Sequence, residues 1–381
     1  MDFIPYGRQI IERDDVDAVV GTLQSGWLTT GPMVSSFEAE FADYVDANYA
    51  VAVANGTAAL HIAMLAAGIG RGDEVIVPAI TFVASANAAR YVGADVRFAD
   101  VDPSTFLIDP ESVRSLVSER TKAIVPVDYA GMPCDYNALR QIADEHDLLI
   151  IEDACHAPGA IYQGKRIGSI ADMTAFSFHP VKHITTGEGG MVTTQSEQLR
   201  DRLVSFRGHG IDSDFRKREA AGTWEFDQVA LGYNYRLSDI SCALGRTQLK
   251  KQPNWLAERR RIAARYADEL ATLPNIQLQL EVEGSDSAWH LYPIRVVGNN
   301  AEEIRRSLFT KMRESRIGVN VHYRPVYLNS YYRNLGYGEG LCPVAEQVYS
   351  GLLSLPMWPG LDQVSQARVI DTLKRILSEV S

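Results

Sequence analysis

The sequence has few cysteines, no excess of basic residues and no long apolar run. Its four cysteines lie far apart among 381 residues, at Cys134, Cys155, Cys242 and Cys342, and none forms a CxxC pair. A zinc site is therefore not expected, and free thiols fit a reducing compartment. The net charge of −11 argues against nucleic-acid and acidic-membrane partners, because either would need a basic surface.

Targeting and membrane signals are also missing. The first residues, MDFIP, lack the basic start and apolar segment of a secretory signal. No apolar run approaches the ~20 residues of a membrane span. We therefore expect a cytoplasmic protein. The P-loop, GxGxxG, GxSxG and HExxH patterns do not occur, which removes the simplest hypotheses of nucleotide hydrolysis, dinucleotide binding, serine hydrolysis and metal-dependent proteolysis.

Apolar strands and helices alternate through the first part of the chain. Strands are predicted at 49–54, 74–77, 96–99, 123–127 and 148–152, with helices between them. This order predicts βαβ units and a mostly parallel central sheet with helices on both faces, which is an α/β fold. In such sheets ligands bind beyond the carboxyl ends of the strands. Polar residues at strand ends are therefore the first candidates for a site.

The chain is long enough for two domains. We expect residues 1–252 to form an N-terminal arm and a large domain, and residues 253–381 a smaller α/β domain. A new helix is predicted from 254 to 273, after one that ends near 250. The smaller domain is predicted to contain strands at 289–297 and 317–323 and helices at 301–315, 343–352 and 362–379. The mixed-charge segment 208–230 is predicted to be a long loop, and a loop of that length is usually functional or mobile.

Two polar residues near strand ends carry the chemistry. Lys182 lies in a loop between two apolar runs, where burial disfavours the ammonium form, and a neutral amine can form a Schiff base with a carbonyl. Asp153 follows the apolar run at 148–152. A pyridoxal phosphate enzyme needs such a pair, a lysine to hold the cofactor and a carboxylate to keep its pyridine nitrogen protonated. The simpler interpretations are a surface lysine and a helix N-cap.

The remaining groups of a cofactor site can be assigned to residues at other predicted strand ends and helix starts. Thr57 and Ala58 open a predicted helix, whose N-terminus would favour a phosphate, and Ser177 would add a hydroxyl. Phe82 and His156 would cover the two faces of an aromatic ring. Taken singly, Thr57 is equally consistent with a plain N-cap, and the two rings with ordinary core packing.

Several ordered motifs together resemble the DegT/StrS family of nucleotide-sugar aminotransferases over nearly the whole chain. These motifs are GWLTTGP (26–32), NGTAAL (55–60), ITFVASAN (80–87), EDACH (152–156), SFHPVKHITTGEGG (177–190), LGYNYRLSD (231–239) and VHYRPV (321–326). The resemblance implies the type I, aspartate-aminotransferase-like fold with pyridoxal 5'-phosphate as cofactor. No resident metal is expected.

The resemblance also implies a role for each candidate. Lys182 would be the Schiff-base lysine and Asp153 the partner of the pyridine nitrogen. His156 and Phe82 would lie on opposite ring faces. The remaining implied contacts are those to the cofactor phosphate, from Thr57, Ala58, Ser177 and, across a homodimer to the partner subunit's cofactor, Asn234.

The substrate implied by the resemblance is a nucleotide sugar. Motifs 179–182 and 322–326 are most similar to members that aminate carbon 4 of a UDP-linked 4-keto-6-deoxy-N-acetyl sugar in pseudaminic acid biosynthesis, with L-glutamate as donor. The candidate substrate contacts are Tyr6, Trp27, Thr29, Thr30, Lys250 and His322. His183 departs from the Asn or Pro of many relatives. The alternatives are a GDP-sugar aminotransferase of the perosamine type, a dTDP-sugar aminotransferase, the dehydratase branch, and a cofactor-binding regulator without turnover.

Overall fold

The computed structural model describes residues 2–213 and 215–380, which fold around a seven-stranded sheet. The α-helices are α1 (Arg13–Gln24), α2 (Pro32–Tyr44), α3 (Gly56–Ala66), α4 (Val83–Tyr91), α5 (Pro110–Leu116), α6 (Tyr136–His146), α7 (Glu197–Arg207), α8 (Phe215–Ala221), α9 (Asp239–Leu270), α10 (Ala301–Glu314), α11 (Ser330–Arg333), α12 (Pro343–Gly351) and α13 (Gln363–Val380). The strands are β1 (Tyr49–Val53), β2 (Glu74–Pro78), β3 (Asp95–Ala99), β4 (Thr121–Ile124), β5 (Leu149–Asp153), β6 (Ile161–Tyr162), β7 (Lys165–Arg166), β8 (Met173–Ser177), β9 (Gly190–Thr194), β10 (Ile276–Leu278), β11 (Ser285–Asp286), β12 (Tyr292–Val296) and β13 (Leu352–Leu355).

The central sheet confirms the predicted mostly parallel α/β architecture. Its strand order is β1-β9-β8-β5-β4-β2-β3. The five strands from β8 to β3 are mutually parallel, while β9 runs antiparallel to both of its neighbours. Strands β2, β8 and β9 are buried along their whole length, as expected for strands covered on both faces. The carboxyl ends of β5 and β8 therefore meet at one edge of the sheet.

Helix α3 begins against this edge. Its N-cap is Asn55, whose Oδ1 accepts a hydrogen bond from the Ala58 amide at 2.8 Å. A Cβ on Gly56 would lie 2.9 Å from Cβ of Ser177, and one on Gly190 would lie 2.6 Å from the Asn55 backbone. Glycine at these two positions therefore lets the start of α3 approach the end of β8 closely enough to share a site with it.

Two hydrophobic cores share one long helix. The larger core surrounds the seven-stranded sheet, and the smaller one is built from the ends of the chain with β10, β12, β13, α10 and α13. Helix α9 contributes Leu256 to the first core and Ile262 to the second. The sequence prediction of separate helices before and after Pro253 is wrong, because α9 continues through that proline. The domain limits 1–252 and 253–381 remain a prediction.

Three other local predictions differ from the structure. Residues 317–323 form isolated bridges, Ile317 with Ile4 and Asn320 with Ser354, where a strand was expected. The strand β13 starts at Leu352, the last residue of a predicted helix. Within the predicted loop 208–230, α8 is helical, and Asp214 lies outside the described residues. These segments depend on distant partners, which local patterns do not reveal.

No helix among residues 2–213 and 215–380 has the length and apolar character needed to span a membrane.

Candidate active site

A cavity of about 610 Å³ opens where the ends of β5 and β8 meet the start of α3. It falls within the size range of small-molecule sites. Its walls include most of the residues predicted from the sequence, namely Tyr6, Thr57, Phe82, Asp153, His156, Ser177, Lys182 and His322. We call it the main cavity. Residues spread over more than 300 positions of the chain thus converge on one space.

Asp153 is the last residue of β5 and is buried in the cavity wall. Its Oδ2 accepts a hydrogen bond from Oγ of Ser85 at 2.6 Å, and its Oδ1 accepts one from the Cys155 amide at 3.2 Å. The two hydrogen bonds fix the direction of the carboxyl group. Asp153 is therefore a carboxyl group held in place in the cavity wall.

Lys182 lies in the loop after β8 and is half-buried in the same wall. Burial lowers the pKa of its amine, and the nearby carboxyl group of Asp153 opposes that shift in part. A lowered pKa increases the fraction of neutral amine near neutral pH, and only the neutral amine is nucleophilic. The loop is anchored by the Lys182 amide, which donates to the carbonyl of His179 at 2.8 Å.

His156 is a neutral ring held from both sides. The Ala130 amide donates to Nδ1 at 3.3 Å, so the ring proton lies on Nε2, which faces the Tyr323 hydroxyl at 3.3 Å. Burial lowers the pKa of His156 well below its usual value, and the charge of Lys182 lowers it further. The ring also lies 4.4 Å from that of His290, centroid to centroid. A neutral, oriented imidazole is suited to stacking on an aromatic ligand.

The start of α3 and the end of β8 provide a cradle for an anion. Thr57 lies in the first turn of α3 and Ser177 ends β8, and both line the cavity together with Gly56. First-turn amides and the helix dipole favour a phosphate at this position. Ala58 does not line the cavity, and its amide is already bonded to Asn55. The structure therefore indicates Gly56 and Thr57 as the first-turn residues nearest the cradle.

The outer wall of the cavity carries three predicted aromatic residues. Phe82 precedes α4 and is 55% exposed, so its ring is accessible to a ligand. Tyr6 packs against His322 with 5.7 Å between ring centroids. His322 is bonded to Asn320 through Nε2 and to Ser354 through Nδ1, and burial lowers its pKa to about 4. His322 is thus neutral at physiological pH.

The other predicted contacts do not reach the main cavity of this chain. Asn234 is exposed and bridges Gly208, and Thr29 and Thr30 are exposed in the turn before α2. Trp27 and Lys250 line a second cavity of about 320 Å³. The family resemblance was the only signal for these positions, and it carries no information on distances within one chain.

His183 points away from the main cavity. Its Nε2 bonds the carbonyl of Ala288 at 2.9 Å, and it does not line the cavity although Lys182 does. Burial, together with the charge of Arg259, lowers the pKa of His183 well below its usual value. Its side chain therefore lies behind the lysine as a neutral structural group.

Sequence reasoning missed three residues that line the cavity and one that supports a cavity residue. Tyr323 and His290 contact His156, and Cys155 lies close enough to Asp153 and Lys182 to interact with both electrostatically. Ser85 does not line the cavity, but its hydroxyl holds Asp153. Burial and the charge of Asp153 raise the pKa of the Cys155 thiol well above its usual value, so it is a neutral wall atom. The four residues occur within or beside quoted motifs or in an apolar segment, but no spacing rule distinguishes them.

This set of groups fits pyridoxal 5'-phosphate. The main cavity combines a lysine of lowered pKa, a carboxylate held by two donors, a neutral stacking imidazole and a helix N-terminus tight enough to require Gly56. These groups match the aldehyde, ring nitrogen, ring face and phosphate of that cofactor. Within the described part of the chain, no cluster of His, Cys, Asp and Glu is arranged to hold a metal ion. The fold and site thus define a pyridoxal-phosphate-dependent enzyme.

Comparison with known proteins identifies the family. Residues 9–374 match the DegT/DnrJ/EryC1/StrS aminotransferase family. The spore coat polysaccharide biosynthesis protein SpsC of Bacillus subtilis is 39% identical over 378 residues, covering 98% of this chain and 97% of SpsC. The chain therefore belongs to the DegT/DnrJ/EryC1/StrS aminotransferase family.

Solved structures agree with this assignment. The putative sugar aminotransferase Spr1654 of Streptococcus pneumoniae, in its PMP form, superposes with a TM-score of 0.95 at 33% identity, covering 99% of this chain and 100% of that one. Helicobacter pylori PseC, an aminotransferase involved in the biosynthesis of pseudoaminic acid, superposes with a TM-score of 0.92 at 29% identity, covering 99% and 100%. The protein is a pyridoxal-phosphate-dependent nucleotide-sugar aminotransferase.

Proposed function

We propose that the protein transfers the amino group of L-glutamate to carbon 4 of a UDP-linked 4-keto-6-deoxy-N-acetylhexosamine. The products are 2-oxoglutarate and a UDP-4-amino-4,6-dideoxy sugar. The observation that carries the proposal is that Lys182, Asp153 and His156 line one cavity. The likeness to PseC supports a sugar of the pseudaminic acid type, and the likeness to SpsC supports a role in polysaccharide biosynthesis.

The geometry of the main cavity supports the following residue roles. When bound, pyridoxal phosphate supplies a ring that accepts electrons as a proton leaves the carbon beside the transferred nitrogen. Lys182 would hold the cofactor, and its neutral amine would move that proton. Asp153 would keep the ring nitrogen protonated. His156 and Phe82 would cover the ring, and Thr57 and Ser177 would bind its phosphate.

We further propose that the enzyme works as a homodimer in the cytoplasm. Asn234 is exposed and outside the main cavity of its own chain. Beside it, the segment 224–231 presents Trp224 and Leu231 with 84% and 78% of their surfaces exposed. Large exposed apolar side chains mark interaction surfaces. If a second copy of the chain binds at this segment, Asn234 of one subunit would approach the cofactor phosphate of the partner subunit. The cytoplasmic location is a prediction from the sequence.

The test is amination of defined substrates. Purified enzyme is incubated with L-glutamate carrying ¹⁵N in its amino group and with UDP-, GDP- or dTDP-linked 4-keto-6-deoxy sugars, and the products are analysed by mass spectrometry. Label is expected in the UDP N-acetyl sugar. Faster labelling of a GDP sugar would replace the proposed substrate with the perosamine-type alternative, and faster labelling of a dTDP sugar would replace it with the dTDP-sugar alternative.

The absorption spectrum of the bound cofactor distinguishes an active enzyme from a regulator without turnover. Glutamate alone is expected to bleach the visible band of the lysine-bound cofactor and release 2-oxoglutarate. A bound cofactor that responds neither to glutamate nor to any keto sugar would instead support a regulator without turnover.

A further inference from the structure

Two carboxyl groups lie side by side beneath the main cavity, and no basic side chain among the described residues pairs with either. Asp128 and Glu152 are both fully buried and within hydrogen-bonding reach of each other. Oδ1 of Asp128 accepts from the Cys134 amide at 2.9 Å and from the Tyr136 hydroxyl at 2.8 Å. Oε2 of Glu152 accepts from Oγ1 of Thr174 at 2.6 Å. Among the described residues, the two remaining oxygens have no other partner.

One shared proton satisfies every polar atom of this pair. A neutral Asp128 carries its proton on Oδ2 and donates it to Oε1 of Glu152, which remains ionised. Two ionised carboxylates at this distance would repel each other and leave both oxygens without a donor. Burial and the neighbouring charge of Glu152 raise the pKa of Asp128 well above its usual value, which agrees with this arrangement.

Asp128 leads directly into a turn that touches three cavity histidines. The turn is Tyr129–Gly131, and Ala130 within it has a φ of 62°, the left-handed region that non-glycine residues rarely adopt. Its Ala130 amide donates to Nδ1 of His156, its Ala130 carbonyl accepts from the His290 amide at 2.8 Å, and the Tyr129 hydroxyl donates to the His322 carbonyl. The surrounding bonds must therefore hold this turn in place.

The turn has little room to adjust. A Cβ on Gly131 would lie 2.7 Å from the Trp289 amide nitrogen and 2.9 Å from that of His290. On the opposite side of the turn, Asp128 accepts hydrogen bonds from the Cys134 amide and the Tyr136 hydroxyl. Its neighbour Glu152 belongs to β5 and accepts a hydrogen bond from Thr174 of β8. The pair is therefore connected to β5, which ends at the cavity residue Asp153, and to β8, which precedes Lys182.

We propose that Asp128 and Glu152 are positioning residues that share one proton, and that the hydrogen bond between them fixes the turn that orients His156. The pair does not touch the cofactor. It acts through the Ala130 amide, and so sets the plane in which His156 covers the cofactor ring. This proposal rests on the proposed role of His156, and it is independent of the sugar that the enzyme aminates.

The test compares one variant that keeps the hydrogen bond with one that removes it. Asp128→Asn offers an amide donor to Glu152 and keeps an oxygen for Cys134 and Tyr136. Glu152→Leu leaves the Asp128 proton without an acceptor. Cofactor affinity and the circular dichroism of the visible band are measured, since both report how the ring is held without requiring turnover. The control is Glu74→Gln. Glu74 is a buried carboxylate that pairs with Arg120, and it lies at the amino end of β2, away from the main cavity.

We expect Glu152→Leu to weaken cofactor binding about tenfold and to change the dichroism of the visible band. Asp128→Asn should stay within about threefold of the wild type, and the control should change neither property. Equal losses in Asp128→Asn and Glu152→Leu would overturn the shared-proton proposal. Wild-type affinity and dichroism in a folded Glu152→Leu would overturn the positioning role. In that case, transamination could still proceed as proposed.

A pH series keeps the proposal testable if Glu152→Leu does not fold. The titratable groups facing the pair are Tyr136 from α6, Cys134 from the loop and Asp153 from β5. Because the fold favours neutral Asp128, the free energy of unfolding falls as pH rises from the ordinary carboxyl pKa toward the raised value. Asp128→Asn removes this fall, so its stability relative to wild type should increase as the pH rises above the ordinary carboxyl pKa of about 4. Parallel pH dependence in both proteins would contradict a shared proton.

Discussion

The main cavity and the second cavity differ in how much of a site one chain completes. The buried side chains that line the main cavity are held by hydrogen bonds from neighbouring segments. Ser85 donates such a bond to Asp153, and the Ala130 amide donates one to His156. The second cavity lies between α1 and α9, and its Lys250 is exposed at the surface. Its Arg246 already pairs with Glu40. The main cavity is thus formed within one chain. The residues at the second cavity lie at the surface, where a substrate or a second subunit would be needed to complete a binding site.

The two cavities differ because different interactions fix the backbone around each of them. At the main cavity, strand pairing and helix capping fix the backbone from which the functional side chains emerge, so their positions follow from the sheet. At the second cavity, the turn 26–31 is tied mainly through Asp239, which accepts from the Gly31 and Met33 amides. Substitutions in the two regions should therefore differ in kind, and four experiments measure that difference.

The largest effect is expected for Lys182→Ala. Removal of the amine should reduce turnover roughly 10,000-fold and abolish the visible band of the lysine-bound cofactor, because no other cavity residue is a primary amine. Lys165→Ala, at an exposed position in β7, is the matched control and should behave as wild type. Turnover in Lys182→Ala within tenfold of wild type would show that the main cavity is not the chemical centre.

Asp153→Asn should have the next largest effect. The amide can still accept from Ser85 or from the Cys155 amide, so the fold should be kept, but the charge opposite the ring nitrogen is lost. Turnover should fall about 100- to 1,000-fold. The comparison is Asp109→Asn, the same change at the N-cap of α5. Steady-state rates measure the loss of turnover, and melting temperatures test whether the fold is kept. Equal rates in the two variants would contradict the proposed role of Asp153.

Ser85→Ala tests the support beneath that carboxylate. The 2.6 Å bond to Asp153 is lost, and a charge-assisted hydrogen bond of this kind contributes about 1.5–3 kcal/mol. Turnover should fall about tenfold, which is close to the lower end of that range. Ser115→Ala, an exposed position in α5, serves as control. A loss equal to that of Asp153→Asn would mean that Ser85 contributes more than orientation.

The smallest effects are expected at the second cavity. Trp27→Ala and Lys250→Ala should raise the KM for the nucleotide sugar about three- to tenfold while leaving kcat and the visible spectrum unchanged. This separation is expected because neither residue lines the main cavity. A spectral change in either variant would show that the two cavities are coupled, and an unchanged KM would exclude both residues from sugar binding.

Sequence patterns anticipated the groups that follow directly from local structure. Asp153 was found because a buried strand ends there, and Thr57 because a helix begins there. Tyr323, His290 and Ser85 escaped notice, since each reaches the site through a contact across more than 60 positions. Ala58 was placed at the phosphate by analogy, but its amide serves the N-cap. Pro253 suggested a break because proline removes a donor, and yet α9 continues through it.

By itself, the sequence determined the α/β class, the mostly parallel sheet and the lysine–carboxylate pair, because apolar periodicity and strand-end polarity are local properties of a chain. Only the tertiary structure decided which candidates share a cavity, the neutral state of His156 and His322, and the position of His183 behind the lysine. These features depend on desolvation and on hydrogen bonds between distant segments. They arise when β5, β8, α3 and the 320–323 segment are brought together.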